Sequence, residues 1–269
     1  MVDAHAMTQD ERRLWLIRAL KEERAEYARL EIPAREADQR DLLRALFNVR
    51  PPEPVSDEFL AVQDVYLQQR NAERGSVTLG ELAPVGTDGV DADLYLWRGD
   101  ITCLATDAIV NAANSQMLGC FVPGHHCIDN AIHTFAGVQL RLACNDLMES
   151  QGHEEGTGLA KLTPAFNLPS RYVVHTVGPI IMGRLTPREE LLLRSCYRSC
   201  LEAADAAGCE SIAFCCISTG VFRFPNERAA ELAVREVRSY KVETGSALKV
   251  VFNVFLAKDE AVYQRLLGL

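Results

Sequence analysis

The chain has 269 residues, of which 48% are hydrophobic and 24% are charged, as is ordinary for a globular protein. Its formal net charge of −9 argues against a protein that holds a nucleic-acid backbone by bulk charge, although a helix N-terminus can still bind a phosphate group. No apolar run of about 18 residues is present, so the sequence predicts no transmembrane helix and no membrane partner.

The first residues, MVDAHAMTQDERR, lack the apolar centre of a signal peptide, and we therefore expect a cytoplasmic protein. The nine cysteines are an odd number in a chain that is not small. In a reducing compartment most of them are expected to be buried thiols, and clustered cysteines are candidates for metal ligands.

Three helices are predicted in the N-terminal part of the chain. Thr8 and Glu11 have the spacing of a capping box at the start of the first helix, and Pro33 is expected to end it. These helices indicate a helical extension over residues 1–90, followed by a domain over residues 91–269. The first and third predicted helices cover about residues 8–30 and 56–73, and the second begins near residue 38 and ends before the prolines at 51, 52 and 54.

From residue 92 onwards, apolar strands alternate with helices of ten to twenty residues, which indicates α/β layering. The strands show no polar alternation, as is typical of strands buried on both faces of a sheet. The predicted strands contain the segments DLYLW, DAIVNAAN, RYVVHTV, SIAFCCIS and LKVVFNVFL, and the predicted helices cover about residues 128–150, 187–208, 226–240 and 259–267.

The segment 111–130, NAANSQMLGCFVPGHHCIDN, carries two cysteines and two histidines within eight residues. Cys120, His125 and Cys127 have a C-x4-H-x-C spacing, and thiolate and imidazole are the ligands that zinc prefers. Three protein ligands leave a fourth position open, as in catalytic zinc sites. His126 is set aside because neighbouring residues rarely point at one metal. The alternative is a loop with free cysteines.

Other histidines and cysteines have structural interpretations. His133 lies one helical turn after Asp129 and is expected to help order the preceding loop. His175, within a strand, is expected to be a hydrogen-bonded core residue. Cys215 and Cys216 lie in an apolar strand and are predicted to be buried thiols.

Two further segments are candidates for ligand contacts. In residues 217–225, ISTGVFRFP, Gly220 allows close approach of the backbone to a ligand, and successive N–H groups can surround a phosphate. A tight strand-to-helix turn explains this loop equally simply. Asp100 can accept a hydrogen bond from the exocyclic amine of an adenine, or it can cap a turn or helix.

Together these segments resemble the macrodomain family. RGDIT, DAIVNAANSQMLG, IDNAIH, YVVHTVGP and ISTGVFRFP match its motifs, in its order, over about residues 94–269. The resemblance implies a three-layer α/β/α fold with a mixed central sheet that binds ADP-ribose. It implies that Asp100 contacts the adenine, that Ile101 supplies a backbone N–H and that Asn111 touches the distal ribose. The implied ADP-ribose ligands are Asp100, Ile101, Asn111, Asn114, Ser218, Thr219, Gly220, Val221 and Phe222.

One motif departs from the common family pattern. GCFVPGHHC stands where most relatives have a glycine run, and Asn130 replaces a glycine. This departure resembles the zinc-containing subgroup of macrodomains, which also carries an N-terminal helical extension. The resemblance implies Zn²⁺ at Cys120, His125 and Cys127. It also implies removal of mono-ADP-ribose from modified proteins, with a lipoate-carrier protein as a candidate substrate.

The expected mechanism positions the distal ribose beside the metal, which polarises an oxygen of the ribose or its linkage or lowers the pKa of a bound water. Asn111 is expected to orient the ribose, and Asp129 to hold the loop or act as a base. Two alternatives stay open at this point. One is a module that binds ADP-ribose without cleaving it and uses zinc structurally, and the other is a redox or interaction switch based on exposed thiolates.

Overall fold

Three helices form the N-terminal part of the chain in the computed structural model, which describes residues 2–269. The predicted capping box is confirmed, since Thr8 Oγ1 accepts from the amide of Glu11 and the Glu11 carboxylate accepts from the amide of Thr8. Ser56 caps the third helix. The helices are α1 (Gln9–Glu22), α2 (Glu36–Val49) and α3 (Asp57–Arg74).

The first helix is shorter than predicted, because it ends at Glu22 rather than near residue 30. Arg50 is almost fully buried, and its guanidinium pairs with both carboxylate oxygens of Glu23, at 2.9 and 3.0 Å, directly after the last helical residue. The chain then turns, with the amide of Tyr27 donating to the carbonyl of Arg24. A tertiary ion pair therefore coincides with the end of a helix that the sequence periodicity would have continued.

These helices share an apolar core of their own, which also reaches the rest of the chain. Val138, at the start of a later helix, belongs to the same buried cluster, and α2 and α3 both contact helix residues 128–136. The apolar faces of these helices therefore pack inside the protein. The division of the chain at residue 90 stays a prediction. The cluster contains Leu16, Ile17, Leu20, Leu43, Leu46, Phe47, Phe59, Val62, Tyr66 and Leu67.

A six-stranded mixed sheet forms the centre of the remaining chain. Its strand order is β2-β8-β7-β4-β6-β5, with all neighbours parallel except β5, which is antiparallel to β6. The two short strands β1 and β3 pair separately. The sequence did not predict β5, whose residues AKLTP lack an apolar run. The strands are β1 (Val77–Thr78), β2 (Leu94–Arg98), β3 (Leu104–Ala105), β4 (Ala108–Ala113), β5 (Ala160–Pro164), β6 (Tyr172–Val177), β7 (Ser211–Phe214) and β8 (Lys249–Val254).

Five helices flank this sheet and complete the predicted three-layer α/β/α fold. Helix α4 packs on β4, α5 on β5, α6 on β5 and β6, and α8 on β2 and β8, while α7 packs against α6 and α8. Thr186 forms a capping box at the start of α6, and Pro187 is its first residue, as predicted. The helices are α4 (Ile128–Ala136), α5 (Val138–Gln151), α6 (Pro187–Ala206), α7 (Asn226–Thr244) and α8 (Ala257–Leu267).

The helix predicted over residues 128–150 is divided into α4 and α5 at Gly137. This glycine has φ 96°, and Gln63 of α3 accepts a hydrogen bond from the next amide, that of Val138, at 2.9 Å. A Cβ on Gly137 would come within 2.7 Å of Gln63 Nε2. The break thus accommodates the close approach of the N-terminal helices.

The large core of the sheet domain contains most of the cysteines. All nine are free thiols, and five are buried, which confirms the expectation for most of them. Cys215 is buried, as predicted, but Cys216 is only half-buried. Both lie after strand β7, which ends at Phe214, rather than within the strand as predicted. Across residues 2–269, no helix is both long enough and apolar enough to cross a membrane.

Candidate active site and metal centre

The sequence segments singled out above follow the carboxyl ends of parallel strands. The loop after β4 leads to α4, and the 217–225 loop lies between β7 and α7. Asp100 follows the end of β2, and these three strands run in the same direction in one sheet. Their carboxyl ends therefore meet at one edge, where α/β folds commonly bind ligands.

The loop of residues 118–127, here called the metal loop, brings three potential ligands together. The donor atoms of Cys120, His125 and Cys127 all lie within 4.8 Å of one another, and Cys120 Sγ is 3.5 Å from His125 Nδ1. Gly124, with φ 62°, makes the turn between them. Two sulfur donors and one imidazole are a set that suits zinc and leaves room for a fourth ligand. His126 is exposed and lies outside this group.

A buried hydrogen-bonded chain lies next to the metal loop. Asn111 Nδ2 donates to Asp129 Oδ1 at 2.8 Å and lies 3.1 Å from His175 Nδ1. His175 Nε2 lies 2.9 Å from Thr163 Oγ1. Burial lowers the pKa of His175 to about 3, so its ring is neutral, accepts from Asn111 and donates to Thr163. His175 is thus a bonded core residue, as predicted.

Asp129 is the buried acid of this site. Burial raises its pKa to about 6, against the hydrogen bond from Asn111 and the positive charge of Arg141. Burial likewise lowers the pKa of His133, whose Nε2 lies 3.5 Å from Asp129 Oδ1. A Cβ on Gly119 would come within 2.8 Å of the His133 ring, so this ring lies directly against the metal loop, and its role in ordering the loop stays a prediction.

Asp100 lies at the other end of the site and already has several partners. Its Oδ1 accepts from the amide and the hydroxyl of Thr102, so it caps the short 3-10 helix that follows it. Its Oδ2 accepts from Arg74 of α3 at 2.6 Å, and the Arg74 guanidinium lies 3.6 Å from the centre of the Phe135 ring. Ile101 is buried. Asp100 therefore has the capping role, and its contact with adenine stays a prediction.

The 217–225 loop has a strained backbone at its start. Ser218 has φ 64°, a left-handed conformation that non-glycine residues rarely adopt. Its buried Oγ has no hydrogen-bond partner within the described chain. A Cβ on Gly178 would overlap this oxygen, so only glycine fits there. The carbonyl of Phe222 accepts from the amide of Ile181 at 2.9 Å, and Gly220 is exposed. Strain of this kind often marks a ligand-binding turn.

The other predicted ligand residues border or shape these loops. Asn114 Nδ2 donates to the carbonyl of Gly119 at 3.2 Å, and Thr219 Oγ1 donates to the carbonyl of Cys216 at 2.9 Å. Val221 is exposed. Asn111 is fully buried, and its Oδ1 has no partner among residues 2–269. The ribose contact of Asn111 stays a prediction.

Sequence reasoning missed the side chains that reach this site from the N-terminal helices. Arg74 binds Asp100, while Arg44 and Asn48 of α2 bind the metal loop and the start of α4. Such residues look like an ordinary solvated face of an amphipathic helix. One signal was available: Asn130 places an amide where a glycine is common, and a buried amide needs partners.

Comparison with known proteins places these features in a family. The model of the Macro domain family matches residues 110–233. A protein-ADP-ribose hydrolase of Treponema medium is 58% identical over 262 residues, which cover 97% of this chain and 100% of that protein. A protein-ADP-ribose hydrolase of Staphylococcus aureus (strain MRSA252) is 52% identical over 254 residues, 93% of this chain and 92% of that protein. The crystal structure of the Trypanosoma brucei macrodomain in complex with ADP-ribose matches with a TM-score of 0.65 and 34% identity, over 82% of this chain and 94% of that chain.

Proposed function

The chain belongs to the Macro domain family, and we propose that it is a zinc-dependent hydrolase that removes mono-ADP-ribose from modified protein side chains. The observation that carries this proposal is the convergence of three donor atoms, those of Cys120, His125 and Cys127, within 4.8 Å of one another. They lie in the loop between β4 and α4, next to the buried Asn111–Asp129 pair. Relatives named protein-ADP-ribose hydrolase support the reaction class.

ADP-ribose binds along the edge of the sheet where these loops meet. Asp100 recognises the adenine amine, and the backbone of residues 218–222 surrounds the diphosphate at the start of α7. This arrangement suits an acidic protein, because backbone N–H groups bind phosphate without a basic surface. With both ends of the nucleotide held, the distal ribose lies near Asn111 and Asn114. Such positioning is itself a large source of rate acceleration.

The donor set of the metal loop suits zinc, with two thiolates and one imidazole from Cys120, Cys127 and His125. When bound, the ion supplies Lewis-acid polarisation of an oxygen of the ribose or its linkage. Side chains of the protein position the substrate. Asn111 orients the ribose, and the Asp129 carboxylate fixes the Asn111 amide through the 2.8 Å hydrogen bond. Hydrolysis adds water across the bond between the ribose and the protein side chain.

His175 keeps this orientation in place. Its neutral ring accepts from Asn111 through Nδ1 and contacts Thr163 through Nε2, so the Asn111 amide can point only one way. This leaves Asn111 Oδ1, which is buried and unpaired in the described chain, as a ready acceptor for a ligand hydroxyl.

The test follows release of label from a mono-ADP-ribosylated protein, with metal content measured on the same samples. We expect release by the zinc-loaded protein, loss of release after chelation, and recovery on adding zinc. Cys127→Ala should lose both zinc and release. Cys209→Ala is the matched control, because Cys209 is a buried thiol before β7, outside the metal loop. A lipoate-carrier protein is the first substrate to test.

Two results would contradict the proposal. Full hydrolysis by metal-free Cys127→Ala would exclude a role for zinc. Tight binding of ADP-ribose by the zinc-loaded protein, without release from any modified substrate, would favour a binding module with structural zinc instead.

A further inference from the structure

The metal loop has no regular secondary structure, and it makes few backbone hydrogen bonds of its own. Within it, the amide of His125 donates to the carbonyl of Val122 at 3.2 Å. Several of its other backbone groups are bound by side chains from distant parts of the chain.

Asn48 of α2 fixes the turn of the metal loop. It is 1% exposed, and its Oδ1 accepts from the amide of Gly124 at 2.9 Å. Its Nδ2 donates to Thr134 Oγ1 of α4 at 3.0 Å. One side chain thus ties the turn between the Cys120 and His125 donors to the helix that follows the loop.

Arg44, one helical turn earlier on α2, binds a ligand residue directly. Its Nη2 donates to the carbonyl of His125 at 3.1 Å. Its Nη2 and Nε also donate to Asn130 Oδ1, at 2.8 and 3.1 Å. The Asn130 amide in turn donates to the carbonyl of Val122 at 3.1 Å. The guanidinium therefore holds the loop at two points, once directly and once through Asn130.

Arg141 of α5 completes the attachment. Its Nε donates to the carbonyl of Leu118 at 2.6 Å, and its Nη1 donates to the carbonyls of Phe47 and Arg50 at the end of α2. The side chain is buried, and its guanidinium lies 4.2 Å from the centre of the Phe121 ring. Arg141 of α5 thus binds both the metal loop and the end of α2.

We infer that Arg44 and Asn48 are positioning residues, through which the N-terminal helices hold the metal loop in the conformation that brings its donors together. The inference rests on the proposed function in so far as these donors bind zinc. Replacing a residue that hydrogen-bonds to a metal-ligating residue commonly changes metal affinity or activity by about 10- to 100-fold. Ordinary packing between helices would instead change stability without changing the affinity for zinc.

The main test compares Arg44→Met with Arg40→Met in the full chain. Arg44→Met keeps the apolar stem and removes the guanidinium. Arg40 lies on the same helix, and its ion pair is with Glu36 of that helix, so Arg40→Met is the matched control. Zinc affinity is measured by competition with a chelator, and hydrogen exchange of residues 118–127 is measured by mass spectrometry on metal-free protein.

We expect Arg44→Met to weaken zinc binding by about 10-fold or more, and to speed exchange of the loop, with Arg40→Met unchanged in both. Arg44→Lys should restore part of the affinity, because one ammonium can replace only some of the three hydrogen bonds. Asn48→Leu should speed hydrogen exchange at the Gly124 amide. Because Asn48 is buried, the melting temperature of this variant is measured as well, to detect a loss of overall stability. If Arg44→Met binds zinc within twofold of wild type and its loop exchange is unchanged, the inference is wrong.

A double-mutant cycle adds a second test. Arg44 acts partly through Asn130, so the effects of Arg44→Met and Asn130→Ala on zinc affinity should not add. Full additivity would contradict that route. Failure of the proposed function is distinguishable, because a wild-type protein that binds zinc but releases no ADP-ribose leaves these comparisons unaffected. If wild type binds no zinc, the exchange measurement alone decides whether Arg44 orders the loop.

Discussion

Gly178→Ala tests the part of the site that is assigned to the diphosphate. Gly178 follows β6, and a Cβ at this position would overlap Ser218 Oγ and come to 2.9 Å from Ile217 Cγ2. Both of these neighbours are buried, so neither can turn aside into solvent. The 217–225 loop must therefore shift, and its backbone amides must leave the positions that bind phosphate.

Overpacking of a buried position typically costs about 1–3 kcal/mol. If the loop shift absorbs that energy, it corresponds to a loss of about 5- to 150-fold in affinity for ADP-ribose. If the fold absorbs it, the same energy lowers the free energy of unfolding. Calorimetric titration with ADP-ribose and urea denaturation of the same variant measure both quantities, and the two losses together should fall in this range.

The matched control is Gly183→Ala, in the same segment. A Cβ on Gly183 would meet no atom of the described chain within 4 Å, so this variant should resemble wild type in both measurements. Ser218→Gly removes the overlapping hydroxyl and suits φ 64°, so in the Gly178→Ala background it should recover part of the affinity. Wild-type affinity and stability for Gly178→Ala would refute the argument that this close approach holds the loop.

Three further predictions concern other parts of the site. Burial lowers the pKa of His175 from 6.5 to about 3, so between these pH values the unfolded state binds a proton that the native state does not. The contribution of His175 to stability is therefore present above pH 6.5 and is lost as the pH falls toward 3. Urea denaturation from pH 7 to 4 should therefore show a shallower loss for His175→Gln, by up to about 1.4 kcal/mol per pH unit, and parallel curves would contradict this. Arg74→Met frees the Asp100 carboxylate, which is partly exposed, so titration should show ADP-ribose affinity reduced by about fivefold at most; a larger loss would mean that Arg74 touches the ligand. Gly119→Ala places a Cβ within 2.8 Å of the His133 ring at φ 82°, so zinc affinity by chelator competition should fall, and an unchanged value would mean that the loop adjusts freely.

Local signals in the sequence account for most of the fold. Apolar runs without alternation predicted the parallel strands, and Thr8 and Thr186 marked helix starts that the structure confirms. The errors have tertiary causes. The first helix stops at Glu22 beside a buried Arg50, and Gly137 divides one predicted helix where Gln63 approaches. Neither contact leaves a trace in the periodicity of a single chain, because each depends on residues more than twenty positions away.

In the candidate site, too, local features were predictable from the sequence and long-range contacts were not. The spacing of Cys120, His125 and Cys127 lies within eight residues, so a local turn suffices to bring the donors together, as the structure does. Zinc binding itself stays a prediction. Arg44 and Asn48 could not be predicted, because their hydrogen bonds to the metal loop span more than seventy residues. A polar side chain on an amphipathic helix has the same local pattern whether it faces water or a loop.

The N-terminal helices contact both ends of the site, and this makes a distinct prediction. Arg44 of α2 binds the metal loop and Arg74 of α3 binds Asp100, and among residues 2–269 the two arginines share no hydrogen-bond partner. If the shared apolar core holds α2 and α3 rigidly, each arginine affects only its own end of the site. The losses in ADP-ribose affinity from Arg44→Met and Arg74→Met should then add within about 0.5 kcal/mol in the double variant. A larger deviation would show that the helices move together, so that loosening one end of the site displaces the other.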